Sequence, residues 1–320
     1  MKASSPFRFW PGAVAVAILV AVPFVASGYI TALTLSLLMY VALAYGWNLI
    51  SGYTGYVSFG QVAFFGVGGY TCAILAKAGM NWLVGSLIGG VIAGLLAVVL
   101  GLVMLRLKGA YFAIGMLGLA QLFAAVAGAL KRVTNGSTGI FLPPSLSLVP
   151  VYLALLSLAL TAVVGTAILH RSTFGLRLMA IREDEEAAES LGIHTTVYKI
   201  IAFSISAVVI ALAGGVMTWY ISFIDPQSAF PAALNLTMVI MAVFGGPGTV
   251  WGPLVGASTL GIIAELLWAN YPGLYLVIYG VILLLIVLYI PQGVVPSLSK
   301  LLRRRGAAET VRKGRRGAVA

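Results

Sequence analysis

Few side chains in this sequence are equipped for chemistry. Its two histidines, His170 and His194, have no acidic or cysteine partner at ligand spacing. The single cysteine, Cys72, excludes an intramolecular disulfide framework and a thiol metal site built within one chain. Five of the eight acidic residues, Glu183, Asp184, Glu185, Glu186 and Glu189, crowd into one segment, while Asp225 reads as a turn residue. Glu265 is the one carboxylate inside an apolar run. A charge near a bilayer centre costs on the order of 3 kcal/mol, so both a functional and a hydrogen-bonded structural role are open for it. No catalytic residue or metal ligand emerges, which disfavours an integral membrane enzyme. A lone Glu is also too little for a proton relay. What the chain offers instead is neutral hydrogen-bonding groups: Asn48, Ser51, Thr54, Ser58 and Gln61 lie in one glycine-rich stretch. Groups of that kind can hydrate the route of a polar solute.

The elements that must position these groups are set by composition. The chain is 61% hydrophobic, 8% charged and has a mean hydropathy of +1.07. Average proteins carry about 25% charged residues, so this surface cannot be shielded from water and the solvent must be largely lipid. The net charge of +11 does not form a nucleic-acid groove, because eight of the nineteen Lys and Arg lie between Lys300 and Arg316. Most of the others sit in short gaps between apolar runs.

Crossing a hydrocarbon core takes about 20 apolar residues as a helix. On that ruler the spans fall near residues 12–28, 30–50, 61–78, 83–105, 110–130, 150–169, 200–222, 234–250, 252–268 and 273–290. The third, eighth and ninth are short or rich in Gly and Pro, as re-entrant or broken helices would be. Lys2 and Arg8 before an apolar run have the outline of a signal peptide, but the next apolar run follows at Tyr29, which reads as a retained first span. With the N-terminus inside, sixteen Lys and Arg fall on the inner side and only Lys77, Lys131 and Arg132 on the outer. This positive-inside bias predicts two cytoplasmic termini. The expected organisation is a transmembrane domain over residues 1–299, with an inner loop at 170–199, followed by a basic, disordered cytoplasmic tail over 300–320.

The inner loop carries a short helix signal. Glu183, Asp184 and Glu186 suit a helix N-terminus, where the macrodipole is positive, and Gly192 can adopt the left-handed conformation that ends a helix. Ala187, Ala188 and Leu191 fall at helical spacing, predicting one small apolar face. A solvated connector is the plain alternative. The sequence from Glu186 through Ala187, Ala188 and Gly192 matches the core of the EAA loop of bacterial ABC import permeases, whose helix docks into a groove on the ATPase. The later Ile-x-Leu-Pro element of that motif is missing here.

Seven glycines in the twenty-four residues 46–69, among them Gly52, Gly55 and Gly60, are too many for an ordinary core helix. Unwound backbone at membrane depth is tolerated only where it is buried in protein or lines a watery cavity. The competing reading is close helix packing through small residues, with polar side chains as interhelical links. A second run, residues 245–257, holds Gly245, Gly246, Gly248, Gly252 and Gly256 with two prolines. It lacks the Lys-Ser/Thr of a phosphate loop and reads as a broken helix or tight cytoplasmic turn, with Gly252 and Gly256 as a packing face.

Jointly and in order, the Asn48–Leu49–Ile50–Ser51–Gly52–Tyr53–Thr54–Gly55 run, Ser58–Phe59–Gly60–Gln61, Thr134-x-Gly136-x-x-Gly139, the 180–192 helix and the 245–257 run resemble the LivM-type permease subunit of branched-chain amino acid ABC importers. The resemblance extends from about residue 35 to 295. It implies an all-α integral membrane protein with about ten spans, a type II-like ABC importer permease in the bacterial inner membrane. It also implies a LivH-type partner permease, two cytoplasmic ATPases and an extracytoplasmic binding protein. ATP and Mg²⁺ would be used by the partners, with no cofactor on this chain. A stand-alone carrier or channel is the competing reading, but it has no need of a motor-docking helix. Within the family, urea, short amides and aromatic or dicarboxylic acids are alternative cargoes; a neutral polar route suits a zwitterion such as leucine.

Overall fold

The computed structural model describes residues 10–144 and 147–271, scattered positions between 274 and 284, and residues 293–298. The helices are α1 (Trp10–Val25), α2 (Gly28–Trp47), α3 (Val62–Lys77), α4 (Trp82–Met104), α5 (Ala110–Ala129), α6 (Lys131–Thr134), α7 (Leu148–Arg171), α8 (Thr173–Glu183), α9 (Glu185–Ser190), α10 (Thr195–Ile221), α11 (Pro226–Ala229), α12 (Ala232–Gly245) and α13 (Gly252–Asn270). Two short strands, β1 (Ile140–Phe141) and β2 (Phe223–Ile224), pair antiparallel with Ile140 opposite Ile224.

Among the described residues, six helical stretches are long and apolar enough to cross a membrane, and three more, Val14–Val25, Val62–Lys77 and Gly252–Leu267, are apolar but shorter. Together they overlap the first nine expected spans, the eighth lying over Pro226–Gly245 rather than 234–250. Most of the tenth, residues 273–290, lies outside the described residues, as do Lys2, Arg8 and the tail from 300 to 320. Leu87, Val91, Leu95, Val99 and Val103 of α4 are all exposed. Their spacing of four places them along one helix face, an apolar stripe suited to lipid.

The core forms around α10, which packs against both α3 and α4, themselves in contact, and approaches α3 at very short range. A Cβ on Gly68 would lie 2.0 Å from the carbonyl oxygen of Ala211, and one on Gly214 would lie 2.1 Å from that of Phe65. Small residues supply van der Waals contact between helices where lipid removes the hydrophobic driving force. The α12–α13 hairpin is built the same way, as the spacing of Gly252 and Gly256 predicts. A Cβ on Gly245 would meet the Gly252 carbonyl oxygen at 1.7 Å, and one on Gly256 would meet that of Met241 at 1.8 Å.

Segments assigned above to one side of the membrane meet at one end of the bundle. Residues near 52–58, 105–108, 182–199 and 247–250 are joined there by hydrogen bonds. At the opposite end, β1 pairs with β2 and the rings of Trp82 and Trp219 stack at 6.0 Å.

One expectation narrows. The irregular stretch predicted for residues 46–61 is helical through Thr54, with a π-helical turn over Asn48–Gly52, and only 55–61 is largely unwound. The early glycines are there for close approach: a Cβ on Gly46 would lie 2.6 Å from Ile210 Cγ1.

Candidate functional site: a broken helix beside an acidic surface helix

The end of α2 is shaped by Asn48. Its amide Oδ1 accepts from the Gly248 N–H at 2.8 Å, and its Nδ2 donates to the Thr249 carbonyl at 3.3 Å. The side chain thereby joins the π-turn to the loop between α12 and α13. Such turns inside α-helices are frequent at functional sites. Gly52 makes the approach possible, since a Cβ there would sit 1.9 Å from Asn48 Oδ1 and 2.6 Å from the Gly248 nitrogen. Gly246 and Gly248 both have positive φ, as does Gly55, at +78°, where the helix ends.

Beyond Gly55 the chain is held by its own polar groups. Ser51 Oγ accepts from the Ser58 N–H at 3.1 Å, Trp47 Nε1 donates to the Ser58 carbonyl at 2.8 Å, and Thr54 Oγ1 donates to the Ile50 carbonyl at 2.6 Å. Asn48, Ser51, Thr54, Ser58 and Gln61 are all buried within this chain. Gln61 differs from the rest: neither end of its amide has a hydrogen-bond partner in the protein. Asn235 of α12 donates to the Phe59 carbonyl, leaving its own Oδ1 without a partner. Two buried amides with unused capacity therefore flank Gly60, whose Cβ would lie 2.0 Å from the Met116 carbonyl oxygen.

The acidic helix α9 forms for local reasons. Asp184 caps it, accepting from the N–H groups of Glu186 and Ala187 at 3.0 Å each, and Glu185 and Glu186 occupy its first turn. Gly192 closes it with φ of +81°, while the Ile193 N–H reaches back to the Ala188 carbonyl. The predicted single face of Ala187, Ala188 and Leu191 is corrected here. Ala188 is buried against the body, whereas Ala187 is exposed and Leu191 is 82% exposed. Adjacent helical residues differ by about 100°, so positions 187 and 191 share the outer face and 188 turns inward.

A charged cluster connects the two parts. Lys199, 2% exposed at the start of α10, pairs with Glu185 Oε1 at 2.5 Å. Its ammonium also lies 3.0 Å from Tyr56 Oη and 4.5 Å from the Tyr56 ring centre. Tyr56 Oη donates to Glu185 Oε2 at 2.6 Å, and Thr195 Oγ1 donates to Glu189 Oε1 at 2.5 Å. Burial pushes the Glu185 carboxyl up, but hydrogen bonds from Lys199 and Tyr56 and the charges of Lys199 and Lys108 outweigh it and hold it below the usual carboxylate range. Removing Glu185 would leave the buried Lys199 ammonium uncompensated; the cost reaches about 3–5 kcal/mol for a fully buried pair and is smaller here, where Glu185 is only part-buried. One turn earlier, Arg182 Nη1 donates to the Gly52 carbonyl at 2.7 Å and the Pro247 carbonyl at 3.3 Å. An open cleft of about 300 Å³ lies between Gly55, Tyr56, Lys108 and Glu186.

The remaining candidates have structural partners. Glu265 accepts from Tyr29 Oη at 2.9 Å, and His170 Nδ1 lies 3.3 Å from Tyr53 Oη. No cluster of three His, Cys, Asp or Glu able to hold a metal occurs among the described residues.

Residues 28–287 match the family described as branched-chain amino acid transport system / permease component. The chain belongs to this family. It is a permease subunit of an ABC importer. It is 28% identical over 324 residues to the high-affinity branched-chain amino acid transport system permease protein LivM of Escherichia coli, covering 91% of this chain and 76% of that one. Its identity to the LivM protein of Salmonella typhimurium is 26% over 311 residues, 87% of this chain and 73% of the relative. The LivH permease protein of Escherichia coli is 30% identical over 138 residues, 42% of this chain and 44% of its own. No solved structure matches the chain.

Sequence reasoning missed four residues of this permease site. Lys199 counted only as an inner-side cation and Tyr56 only as part of the glycine-rich stretch. They are 143 positions apart, and no spacing rule joins them. Arg182, like Lys199, counted only among the inner-side cations. Asn235 did carry a signal, as a polar side chain inside the span at 234–250, where such residues are costly and often functional.

Proposed function

We propose that this permease carries branched-chain amino acids across the bacterial inner membrane, driven by two ATPase subunits that dock on α9. A LivH-type partner permease completes the route, and an extracytoplasmic binding protein delivers the solute. ATP and Mg²⁺ act on the ATPases, and this chain does no chemistry of its own. The observation that carries the reading is the outward face of α9: Ala187 and Leu191 project from a capped helix whose other side is anchored by Ala188. Leu191, at 82% exposure, is apolar surface suited to a protein partner. The sixteen-to-three charge bias supports placing this end, and both termini, in the cytoplasm. A neutral route past Gln61 and Asn235, beside Asn48, Ser51, Thr54 and Ser58, suits a zwitterion with no net charge.

Uptake into vesicles holding the complete complex and its binding protein tests the proposal. Labelled leucine should enter only with ATP on the ATPase side, and isoleucine and valine should compete while urea does not. Leucine uptake driven by an ion gradient without ATP contradicts the mechanism. ATP-driven uptake of urea alone contradicts the cargo.

A further inference from the structure

The cluster around Lys199 has no part in capping α9 or in packing the helices at their small residues. A buried ion pair is a weak source of stability, since well-packed apolar residues of the same volume do as well or better. What it supplies is fixed registry between three separate elements. Glu185 belongs to a six-residue surface helix, Lys199 to the 27-residue α10, and Tyr56 to the unwound chain after α2. Charge-assisted hydrogen bonds are short and directional, so these elements must shift together or break several such bonds at once.

We propose that Glu185, Lys199 and Tyr56 form a tether that carries displacement of α9 into the broken end of α2, with Arg182 as its second strand. The inference rests on α9 being the motor contact. The two strands grip the break on both sides. Arg182 holds the Gly52 and Pro247 carbonyls, at the π-turn and at the α12–α13 loop. Glu185 holds Tyr56, two residues before Ser58, whose backbone is bound to Ser51 and Trp47. Beyond Ser58 lie Phe59, held by Asn235, and Gln61. A pull on α9 therefore passes through the Glu185–Tyr56 hydrogen bond into the backbone of residues 56–61, and from there to Gln61 directly and to Asn235 through its bond to the Phe59 carbonyl. Glu185, Lys199, Tyr56 and Arg182 are positioning residues, because none need touch the solute.

The test uses the full complex with its binding protein in vesicles. Tyr56→Phe removes one hydroxyl and leaves the ring and the ion pair in place. The double change Glu185→Gln with Lys199→Met removes both charges together, so that neither is orphaned. In a Cys72→Ala background, a cysteine at Leu191 reports motor contact by cross-linking to the ATPase. We expect the cross-link and basal ATP hydrolysis to persist in both variants. Solute moved per ATP should fall on the order of tenfold, within the range of couplings between distant sites.

A pH series separates transmission from mere folding. The groups facing Glu185 are Lys199, Tyr56, Thr195 and Lys108, with Glu189 sharing the Thr195 hydroxyl. Since its carboxyl is held low, the tether is intact at neutral pH and weakens only as pH falls through that lowered value. Wild-type coupling should therefore approach that of the double variant in acid, while their ratio is constant above pH ~6. A cross-link in both variants with wild-type transport per ATP overturns the tether alone. Absence of the cross-link in the otherwise wild-type chain overturns the motor contact, and the tether with it.

Discussion

Gln61 separates the two roles a buried polar group can have in this permease. Ser51, Thr54 and Ser58 spend their capacity on backbone groups of the broken helix and the chain after it, and Asn48 on the α12–α13 loop, so replacing one of them damages the fold and the route together. Gln61 spends none of its side chain. An unpaired buried amide costs roughly 1–3 kcal/mol in proteins, so Gln61→Leu should leave thermal stability in detergent unchanged or raised. Uptake should nonetheless fall sharply. Asn48→Leu is the contrasting variant: it forfeits two hydrogen bonds, at about 1 kcal/mol each, and should lower stability. Wild-type uptake by Gln61→Leu would remove the route from this stretch and place it on the partner permease. Residue types and their neutral polarity were legible in the sequence. Which amide is left without a partner was not, because that depends on Phe59 and Asn235 meeting across 176 positions.

At the scale of elements, glycine spacing told more than hydropathy did. Hydropathy located the helices, and the short runs at 61–78 and 252–268 came out as the shorter helices α3 and α13. The glycines then fixed which helices touch. Gly245 and Gly256 press α12 and α13 together through backbone contacts that no side chain can relieve. Gly256→Ala should separate the hairpin, at about 1–3 kcal/mol for overpacking, and lower the melting temperature of the purified permease. Gly118 of α5, where an added Cβ would meet nothing within 4 Å, serves as the control. There the same change should be neutral or stabilise by roughly 0.5–1 kcal/mol, since alanine has the higher helix propensity. Equal melting temperatures for the two variants would contradict the packing described. The face of α9 shows where periodicity alone stops short. Three apolar positions in five residues suggested one face, but a helix of six residues has no room for a full stripe, and the body claimed Ala188 for its own core.

Across the whole molecule, charge divides the loops into two sets, and the fold gathers each set at its own end of the bundle. That agreement links charge counting, which knows nothing of contacts, to hydrogen bonds between segments more than 100 positions apart. The central claim is that the motor engages this end through the outer face of α9. Single cysteines at Ala187, Ala188 and Leu191, each in a Cys72→Ala background, test it directly when the complete complex is treated with a short bifunctional thiol reagent. Positions 187 and 191 should cross-link to an ATPase subunit, with a yield that changes on adding ATP, while 188, turned into the core, should not. Cross-links from none of the three, in a complex that still transports, would contradict the account.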